Sequence, residues 1–244
     1  MIVAQAALET RMLLRNGEQL LLTVIIPSLL LVLFSTVDIV TVPVPATGGG
    51  GRSVDFLAPG VLALAVMSTA FTGQAIATGF ERRYGVLKRL GASPLPRWAL
   101  MAAKTLSVLV TEVLQIVLLT LIALALGWDP QGGAGSVLLL LVLGTAAFSG
   151  LGLLMAGTLR AEATLAAANL VFLLLLVGGG VIVPLDRFPE AAQSVLGLLP
   201  ISALSDGLRD VLQHGASMPW GDLGILAAWA VLGLGAAARF FRWE

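Results

Sequence analysis

Residues 57–79 read LAPGVLALAVMSTAFTGQAIATG, an apolar run without a charged side chain, and residues 81–97 follow as ERRYGVLKRLGASPLPR, with five Lys or Arg. An apolar run of about 20 residues is long enough to cross the hydrocarbon core of a bilayer as a helix. Clustered Lys and Arg beside such a run are typical of the cytoplasmic side of a membrane protein. The two stretches together predict a membrane-spanning helix followed by a cytoplasmic loop.

The composition extends this interpretation to the whole chain of 244 residues. Hydrophobic residues make up 58% of it, charged residues 11%, and the mean hydropathy is +0.98, whereas soluble domains carry roughly 25% charged residues. We therefore predict a single transmembrane domain over residues 1–244. The net charge of +0 argues against a nucleic-acid partner, because such binding needs a basic excess. The chain has no cysteine, which excludes disulfides, thiolate nucleophiles and Cys-type metal sites.

Six apolar runs are long enough to span a bilayer, and all six are predicted to be helical, because a helix satisfies its own backbone hydrogen bonds in lipid. They are residues 20–37, 57–79, 98–126, 137–159, 164–183 and 220–238. The predicted fold class is an all-α integral membrane protein with six transmembrane helices.

The distribution of charge predicts the orientation of these helices. With both termini in the cytoplasm, only Arg52, Arg187 and Arg209 lie outside, and the cytoplasmic set is Arg11, Arg15, Arg82, Arg83, Lys88, Arg89, Arg97, Lys104, Arg160, Arg239 and Arg242. The outer loops then carry most of the acids, namely Asp38, Asp55, Asp129, Asp186, Glu190, Asp206, Asp210 and Asp222. The two tallies predict the same orientation.

Residues 1–18 have the pattern of an amphipathic helix that lies along the inner membrane surface. Its apolar residues share one helical face, and they are Val3, Ala6, Ala7, Leu13 and Leu14. The alternative is a frayed terminus with a helical tendency.

Residues 184–221, between the fifth and sixth predicted crossings, hold two shorter apolar stripes. The first consists of Ala192, Val195, Leu196 and Leu199, and the second, beyond Pro200, of Ile201, Leu204, Leu208 and Val211. Each half is too short to span the bilayer. We predict two short amphipathic outer helices that lie in the interface or dip partway into the membrane and return. The alternative is a pair of surface helices that serve packing alone.

Within the basic segment, Val86, Leu87 and Leu90 can face one side of a short helix, which Pro94 stops before the third crossing. The basic side chains remain available to water or to acidic groups. This pattern fits a docking surface for a soluble partner. It also fits a loop that only sets topology and attracts anionic lipid, at about 1 kcal/mol per basic residue.

The order of residues in this segment resembles the cytoplasmic coupling loop of ABC-2-type ABC transporter permeases. The residues that carry the resemblance are Glu81, Arg82, Arg83, Gly85, Leu87, Leu90 and Pro94. The longer stretch from Gly85 to Trp98 looks most similar to drug and antibiotic exporters of the daunorubicin-resistance kind, with Lys88 where many relatives have an acidic residue. The inner N-terminal helix, the six crossings and the paired-helix outer segment are similar as well.

This resemblance implies a permease subunit without its own motor. In that family two permease subunits pair with two ATP-binding subunits, so ATP and Mg would bind to the partner and this chain would hold no cofactor. The outer helices would cap the exit of the transport path. The residues that would contact the ATP-binding subunit are Glu81, Arg82, Arg83, Gly85, Leu87, Leu90 and Pro94, with Arg11 and Arg15 of the N-terminal helix. The substrate would be a lipophilic drug-like molecule or a lipid, exported across a bacterial plasma membrane. The sequence contains no G-x-x-x-x-G-K-[ST] phosphate loop, which agrees with a separate motor.

Polar residues inside the predicted crossings are candidates for a transport path. Glu112 lies well inside the third crossing, and a charge at a helix centre costs about 2.5–3.5 kcal/mol on insertion scales. Glu112 is either a substrate or proton contact, or a structural residue paired with a neighbour such as Gln74 or Asn169. By the resemblance, Gln74, Asn169 and Phe172 face the subunit interface.

Two other classes of function are alternatives to a permease. A secondary transporter that works without ATP would show internal repeats and helices broken near the midplane. Pro27 could break the first crossing, but the second half offers no counterpart. A membrane-embedded enzyme would need catalytic side chains, yet the single histidine, His214, lies in a predicted outer loop and no H-E-x-x-H or G-x-S-x-G motif occurs. The sequence therefore favours a permease that is not itself an enzyme.

Overall fold

The computed structural model describes Ala7, Thr10, Arg11 and residues 17–36, 53–86, 97–181 and 185–241. Throughout these residues the chain forms helices and no β-strand, as the continuous apolar runs predict. Helices α1 to α5 are Gly17–Thr36, Ser53–Arg83, Arg97–Ala125, Ala134–Thr158 and Ala161–Gly178. A 3₁₀ turn, Leu185–Arg187, precedes α6, α7 and α8, which are Glu190–Leu196, Pro200–Leu212 and Trp220–Phe240.

Five helices in the described part of the chain are long and apolar enough to cross a membrane, namely α2, α3, α4, α5 and α8. Their bounds lie within a few residues of the second to sixth predicted crossings. Helix α1 coincides with the first predicted crossing, but its described apolar stretch, Val24–Leu33, is shorter than a full crossing. The first predicted crossing, and with it the total of six, therefore stays a prediction. So does the inner helix over residues 1–18, of which Ala7, Thr10 and Arg11 are described before Gly17, all helical.

Helix α2 is the centre of the bundle. Helices α1, α3, α4, α5 and α7 all contact it, and its side chains at residues 57–71 are buried except for Ser68. Its residues Met67–Gly73 form a π-helix, a wider turn that is frequent at functional sites. Helix α4 approaches this turn closely at Gly152, where a Cβ would lie 2.8 Å from the Phe71 carbonyl oxygen.

Helix α3 turns a polar face inward and an apolar face outward. Its exposed face is a stripe of Leu and Val that includes Val113, Leu114 and Leu121. Its buried polar residues are Lys104, Ser107, Thr111, Glu112 and Gln115. This is the reverse of a surface helix in water, and it fits a helix that contacts lipid on one side and other helices through polar side chains on the other.

Helices α4 and α8 form the most extensive helix pair of the described residues. At their crossing Gly150 faces Gly233, and a Cβ on Gly150 would lie 2.5 Å from the Leu234 nitrogen and 2.7 Å from the Gly233 carbonyl carbon. Small residues at such crossings let two backbones touch and gain packing contacts in lipid. This contact holds the last helix against the bundle.

The two short helices between α5 and α8 differ in depth. Helix α6 contains no buried residue, whereas α7 is buried almost throughout, with Ile201, Leu204 and Leu208 fully inaccessible. Helix α7 begins at Pro200, the predicted break, and packs among α2, α4 and α8. Gly144 makes room for it, because a Cβ there would lie 2.9 Å from Leu204 Cδ2. Helix α7 is therefore a part of the core and does not rest on its surface.

The two ends of the bundle differ in charge. The basic end comprises the last turns of α2 and α8, the start of α3 and the α4–α5 connection. It carries Arg82, Arg83, Arg97, Lys104, Arg160 and Arg239 against Glu81 and Glu162. The acidic end comprises the start of α2, the α3–α4 connection and residues 185–222. It carries Asp55, Asp129, Asp186, Glu190, Asp206, Asp210 and Asp222 against Arg187 and Arg209.

The burial of α7 predicts a difference in thiol labelling. Because the chain has no native cysteine, a single introduced cysteine reports on its own site. In permeabilised vesicles, Leu204→Cys should react poorly with a membrane-impermeant maleimide, and Ser194→Cys on the exposed face of α6 should react readily. The run of four glycines at residues 48–51 lies outside the described residues, and the predicted orientation of the crossings puts it on the outer side of the membrane. Gly49→Cys in that run should react readily and is a further reference. Equal labelling of Leu204→Cys and Ser194→Cys would contradict the buried position of α7.

Candidate functional site

At the basic end, an ion pair ties the last turn of α2 to α3. Lys104 Nζ lies 2.6 Å from Glu81 Oε2, and the Lys104 side chain is only 4% exposed. An ammonium group buried this deeply needs a partner, because an unpaired buried charge is costly. Glu81 therefore allows Lys104 to lie inside the bundle.

The next two side chains of α2 contact the α4–α5 region. Arg82 Nη2 donates to the Leu159 carbonyl oxygen, one of the acceptors that the end of a helix leaves without an intrahelical partner. Arg83 forms an ion pair with Glu162 in the first turn of α5. We call Glu81, Arg82 and Arg83 the clamp, because these consecutive residues join α2 to α3, to the end of α4 and to α5.

After the clamp the chain makes a turn whose side chains are exposed. Tyr84 is 70% exposed and stacks on Phe80, with ring centroids 6.2 Å apart. Gly85 has a φ of +72°, a backbone conformation that glycine adopts freely and other residues rarely adopt. Val86, which follows, is also exposed. We call Tyr84, Gly85 and Val86 the exposed turn.

The residues predicted to contact an ATP-binding subunit thus fall into different environments. The clamp residues contact helices of their own chain, and Gly85 belongs to the exposed turn. Arg11 is exposed. Leu87, Leu90, Pro94 and Arg15 lie outside the described residues. Whether these positions contact another subunit stays a prediction.

A second polar cluster lies inside the bundle at the π-helix. Thr69 Oγ1 donates to Gln115 Oε1 over 2.9 Å, and the Thr145 hydroxyl contacts Glu112 Oε2. Glu112 is only 1% exposed. Its partner is Thr145 rather than Gln74 or Asn169. Two polar contacts, one helical turn apart on α3, thereby join that helix to α2 and to α4, as is common between helices in lipid.

The other predicted path residues lie in unlike environments. Gln74 is buried, and neither of its amide atoms has a hydrogen-bond partner in the part of the chain that the structure describes. Asn169 lies on the exposed face of α5, beside the exposed Leu170 and Leu173. Phe172 is half-buried and packs against the core. Beyond its first turn, which carries the exposed Glu162, helix α5 therefore presents one amide within an otherwise apolar exposed face.

The acidic end contains a buried arginine, Arg209, although the distribution of charge along the sequence predicted it only as one of the outer charges. Arg209 is 7% exposed, and its Nη1 and Nη2 donate to the carbonyl oxygens of Gly180 and Val181, each over 2.9 Å. Nη1 also lies 3.0 Å from Asp206 Oδ1, and the guanidinium sits 4.2 Å from the centre of the Phe56 ring. Arg209 thus joins α7 to the end of α5 and to the start of α2.

Burial and charge act against each other at this site. Burial raises the pKa of Asp206, while the nearby Arg209 guanidinium lowers it. Burial likewise lowers the pKa of Arg209, and Asp206 opposes that shift. Despite the many carboxylates, no group of three or more His, Asp or Glu is placed to hold a metal ion among the residues that the structure covers. The geometry indicates a structural ion pair.

The amino-acid sequence matches a known protein family. A family model described as ABC-2 family transporter protein matches residues 2–239. The chain belongs to the ABC-2 transporter family. No curated protein matches it. ABC-2 chains are the membrane components of ABC transporters, which work with an ATP-binding subunit and are generally not catalytic themselves. The family-level resemblance seen in the sequence is confirmed, and the closeness to exporters of the daunorubicin-resistance kind stays a prediction.

Proposed function

We propose that this ABC-2 chain is the membrane-spanning subunit of an ATP-driven exporter. It would move a lipophilic drug-like or lipid substrate out of the cytoplasm, through a path formed with a second permease subunit. Separate ATP-binding subunits, which hold ATP and Mg, would supply the energy. The observation that carries the proposal is the family match over residues 2–239. The apolar helices and the lack of a phosphate loop in the sequence support it.

The difference in charge between the two ends supports the proposed orientation. Cytoplasmic loops of membrane proteins carry an excess of Lys and Arg, so the basic end would face the cytoplasm of a bacterial cell and the acidic end would face outward. With α1 as the first of six crossings, both termini would be cytoplasmic. The exposed turn would then lie on the side where ATP is available.

The exposed turn is the proposed start of the surface that binds the ATP-binding subunit. The aromatic ring of Tyr84 and the aliphatic side chain of Val86 are exposed, and Leu87, Leu90 and Pro94 would continue the surface. The clamp directly before the turn joins α2 to α3 and α5. A push on the turn would therefore move several helices as one body, which is how packed elements transmit a local shift.

The exposed face of α5 is the proposed contact with the second permease subunit. An amide that faces hydrocarbon has no hydrogen-bond partner there, and the loss of its bonds to water is costly. Asn169 would be satisfied at a subunit interface or in a path that admits water or substrate. Phe172 and the surrounding leucines would give that path an apolar lining, which suits a lipophilic substrate. Gln74 would join the path only if α2 and α5 separate.

Co-purification with an ATP-binding subunit tests the proposal. The chain would be co-expressed with an ATP-binding subunit that carries a phosphate loop, and binding, ATP hydrolysis and substrate export would be measured together. We expect Tyr84→Ala with Val86→Ala, or Leu87→Ala with Leu90→Ala, to weaken co-purification at least about tenfold, since an interface anchor contributes about 2 kcal/mol. The double variant Val231→Ala with Leu232→Ala, exposed on α8, is the matched control and should behave as the wild type.

Two outcomes would contradict different parts of this proposal. Export at the wild-type rate without any ATP-binding subunit would reject ATP-driven transport and favour a secondary transporter. Normal co-purification and coupled hydrolysis in both the Tyr84/Val86 and the Leu87/Leu90 variants would reject the proposed coupling surface. ATP-driven export would not be contradicted by that result.

A further inference from the structure

We propose that Glu112 binds a proton at neutral pH and joins α3 to α4 as a neutral carboxylic acid. This site lies inside the bundle, and the inference does not depend on the proposed transport function. Three features of its surroundings carry it: the hydroxyl of Thr145, the free oxygen of Glu112, and the positions of the charged residues.

The contacts of Thr145 are the first feature. Its Oγ1 lies 2.7 Å from the Leu141 carbonyl oxygen, one turn earlier in α4, and also contacts Glu112 Oε2. A hydroxyl has one hydrogen to donate, and a backbone carbonyl can only accept. If Glu112 were ionised, it could also only accept, and one of the two contacts would lack a hydrogen. With a proton on Glu112, the acid donates to Thr145 and Thr145 donates to Leu141, so both contacts are hydrogen bonds.

The second oxygen of Glu112 is the next feature. Oε1 is buried and has no hydrogen-bond partner among the described residues. A carboxylate spreads its charge over both oxygens and accepts hydrogen bonds at each. A buried charge without partners costs far more than a buried neutral carbonyl without one. The surroundings of Oε1 therefore suit the carbonyl oxygen of a neutral acid.

The charged residues of the packed helices lie far from Glu112 along the bundle. Helix α3 contacts α1, α2, α4 and α8. Helix α4 carries no charged residue, and the other three carry theirs only in their end turns, namely Glu18, Asp55, Glu81, Arg82, Arg83, Asp222 and Arg239. On α3 itself the closest is Lys104, about two turns away, and its ammonium pairs with Glu81. In the described part of the chain no salt bridge includes Glu112.

Infrared spectroscopy tests this protonation state, because a carboxylic acid and a carboxylate absorb in separate regions. The purified full chain would be measured at neutral pH in H₂O and in D₂O, in a detergent without ester groups. We expect Glu112→Gln to lose an acid C=O band that shifts in D₂O in the wild type. Glu162→Gln, which removes an exposed carboxylate at the basic end, should leave that band unchanged. Thr145→Val should keep the band and shift its frequency, because the hydrogen bond is lost.

The proposal is overturned if Glu112→Gln keeps every acid C=O band of the wild type and loses only carboxylate absorption. Should Glu112→Gln fail to fold, Thr145→Val decides the question. A shifted acid band in that variant supports a protonated Glu112, and an acid region identical to that of the wild type refutes it.

Discussion

Replacement of Arg209 with Ala is expected to destabilise the acidic end so strongly that little folded protein is recovered. The side chain donates to the carbonyl oxygens of Gly180 and Val181 and pairs with Asp206. Its removal leaves two carbonyl groups and a partly buried carboxylate without their donor. The loss of one partner from a buried charged network costs about 3–5 kcal/mol, against a total stability of about 5–15 kcal/mol.

Arg209→Lys is the more discriminating variant. A lysine keeps the positive charge but lacks the planar fork that serves two carbonyl groups and a carboxylate together. We expect an intermediate stability, because the charge is retained and at least one carbonyl oxygen loses its donor. Arg187→Ala, at an exposed position before α6, is the matched control and should unfold at the wild-type temperature. Thermal unfolding in detergent, followed by size-exclusion chromatography, measures all three variants. Wild-type stability of Arg209→Ala would show that the interactions of Arg209 are dispensable.

The positions of the spans were the part of the fold most accessible from sequence. In lipid, every backbone polar group must be satisfied within its own segment, so a long apolar run has few alternatives to a helix. The second to sixth predicted crossings accordingly lie close to α2, α3, α4, α5 and α8. The start of α7 at Pro200 was equally visible, because proline favours the first turn of a helix and disfavours its interior.

Contacts between helices were not accessible in the same way. Arg209 was counted as an outer charge because its burial depends on where α7 packs, and α7 showed one apolar stripe typical of an interfacial helix. A second signal was present: Ser202, Ser205 and Arg209 recur at helical spacing, and all three are buried. That polar stripe could have indicated a second face turned inward. The π-helix of α2 left no comparable signal in the sequence.

In the candidate site, too, the sequence indicated which residues are notable but not which residues they contact. The sequence drew attention to Glu81, Arg82 and Arg83 as charged residues beside a membrane span. It did not reveal that all three contact helices of their own chain, since their partners Lys104, Leu159 and Glu162 are distant along the sequence. Likewise, the cost of burying a carboxyl group predicted a partner for Glu112. The identity of that partner, Thr145, follows only from the position of α4 beside α3.

Helix α2 links the two ends of the molecule through these contacts. The clamp fixes it at the basic end, and Phe56 near its first turn lies against Arg209 at the acidic end. A displacement of α2 along or about its axis would therefore strain both sets of contacts. In the proposed exporter this would couple the exposed turn to the helices at the opposite end, because packed elements shift between discrete arrangements more readily than they deform.

Gly150→Ala is expected to separate α4 from α8 and to lower the stability of the folded protein. The added Cβ would lie 2.5 Å from the Leu234 nitrogen and 2.7 Å from the Gly233 carbonyl carbon. Both atoms belong to the backbone, so no change of side-chain rotamer can relieve the overlap and a whole helix must move. Overpacking of this kind costs about 1–3 kcal/mol or more, and Gly150→Leu should cost more than Gly150→Ala.

Gly235→Ala supplies the matched control on the partner helix. No atom lies within 4 Å of a Cβ placed there, so the substitution has open space, and Ala is favoured over Gly in a helix by about 1 kcal/mol. Thermal unfolding in detergent should therefore change in different directions for the two variants. Relative to the wild type, the unfolding temperature should be lower for Gly150→Ala and equal or higher for Gly235→Ala. A decrease of the same size in both would mean that the helices respond to the change of residue type alone. Opposite signs require the close backbone contact, because the two substitutions add the same methyl group and differ only in what it meets.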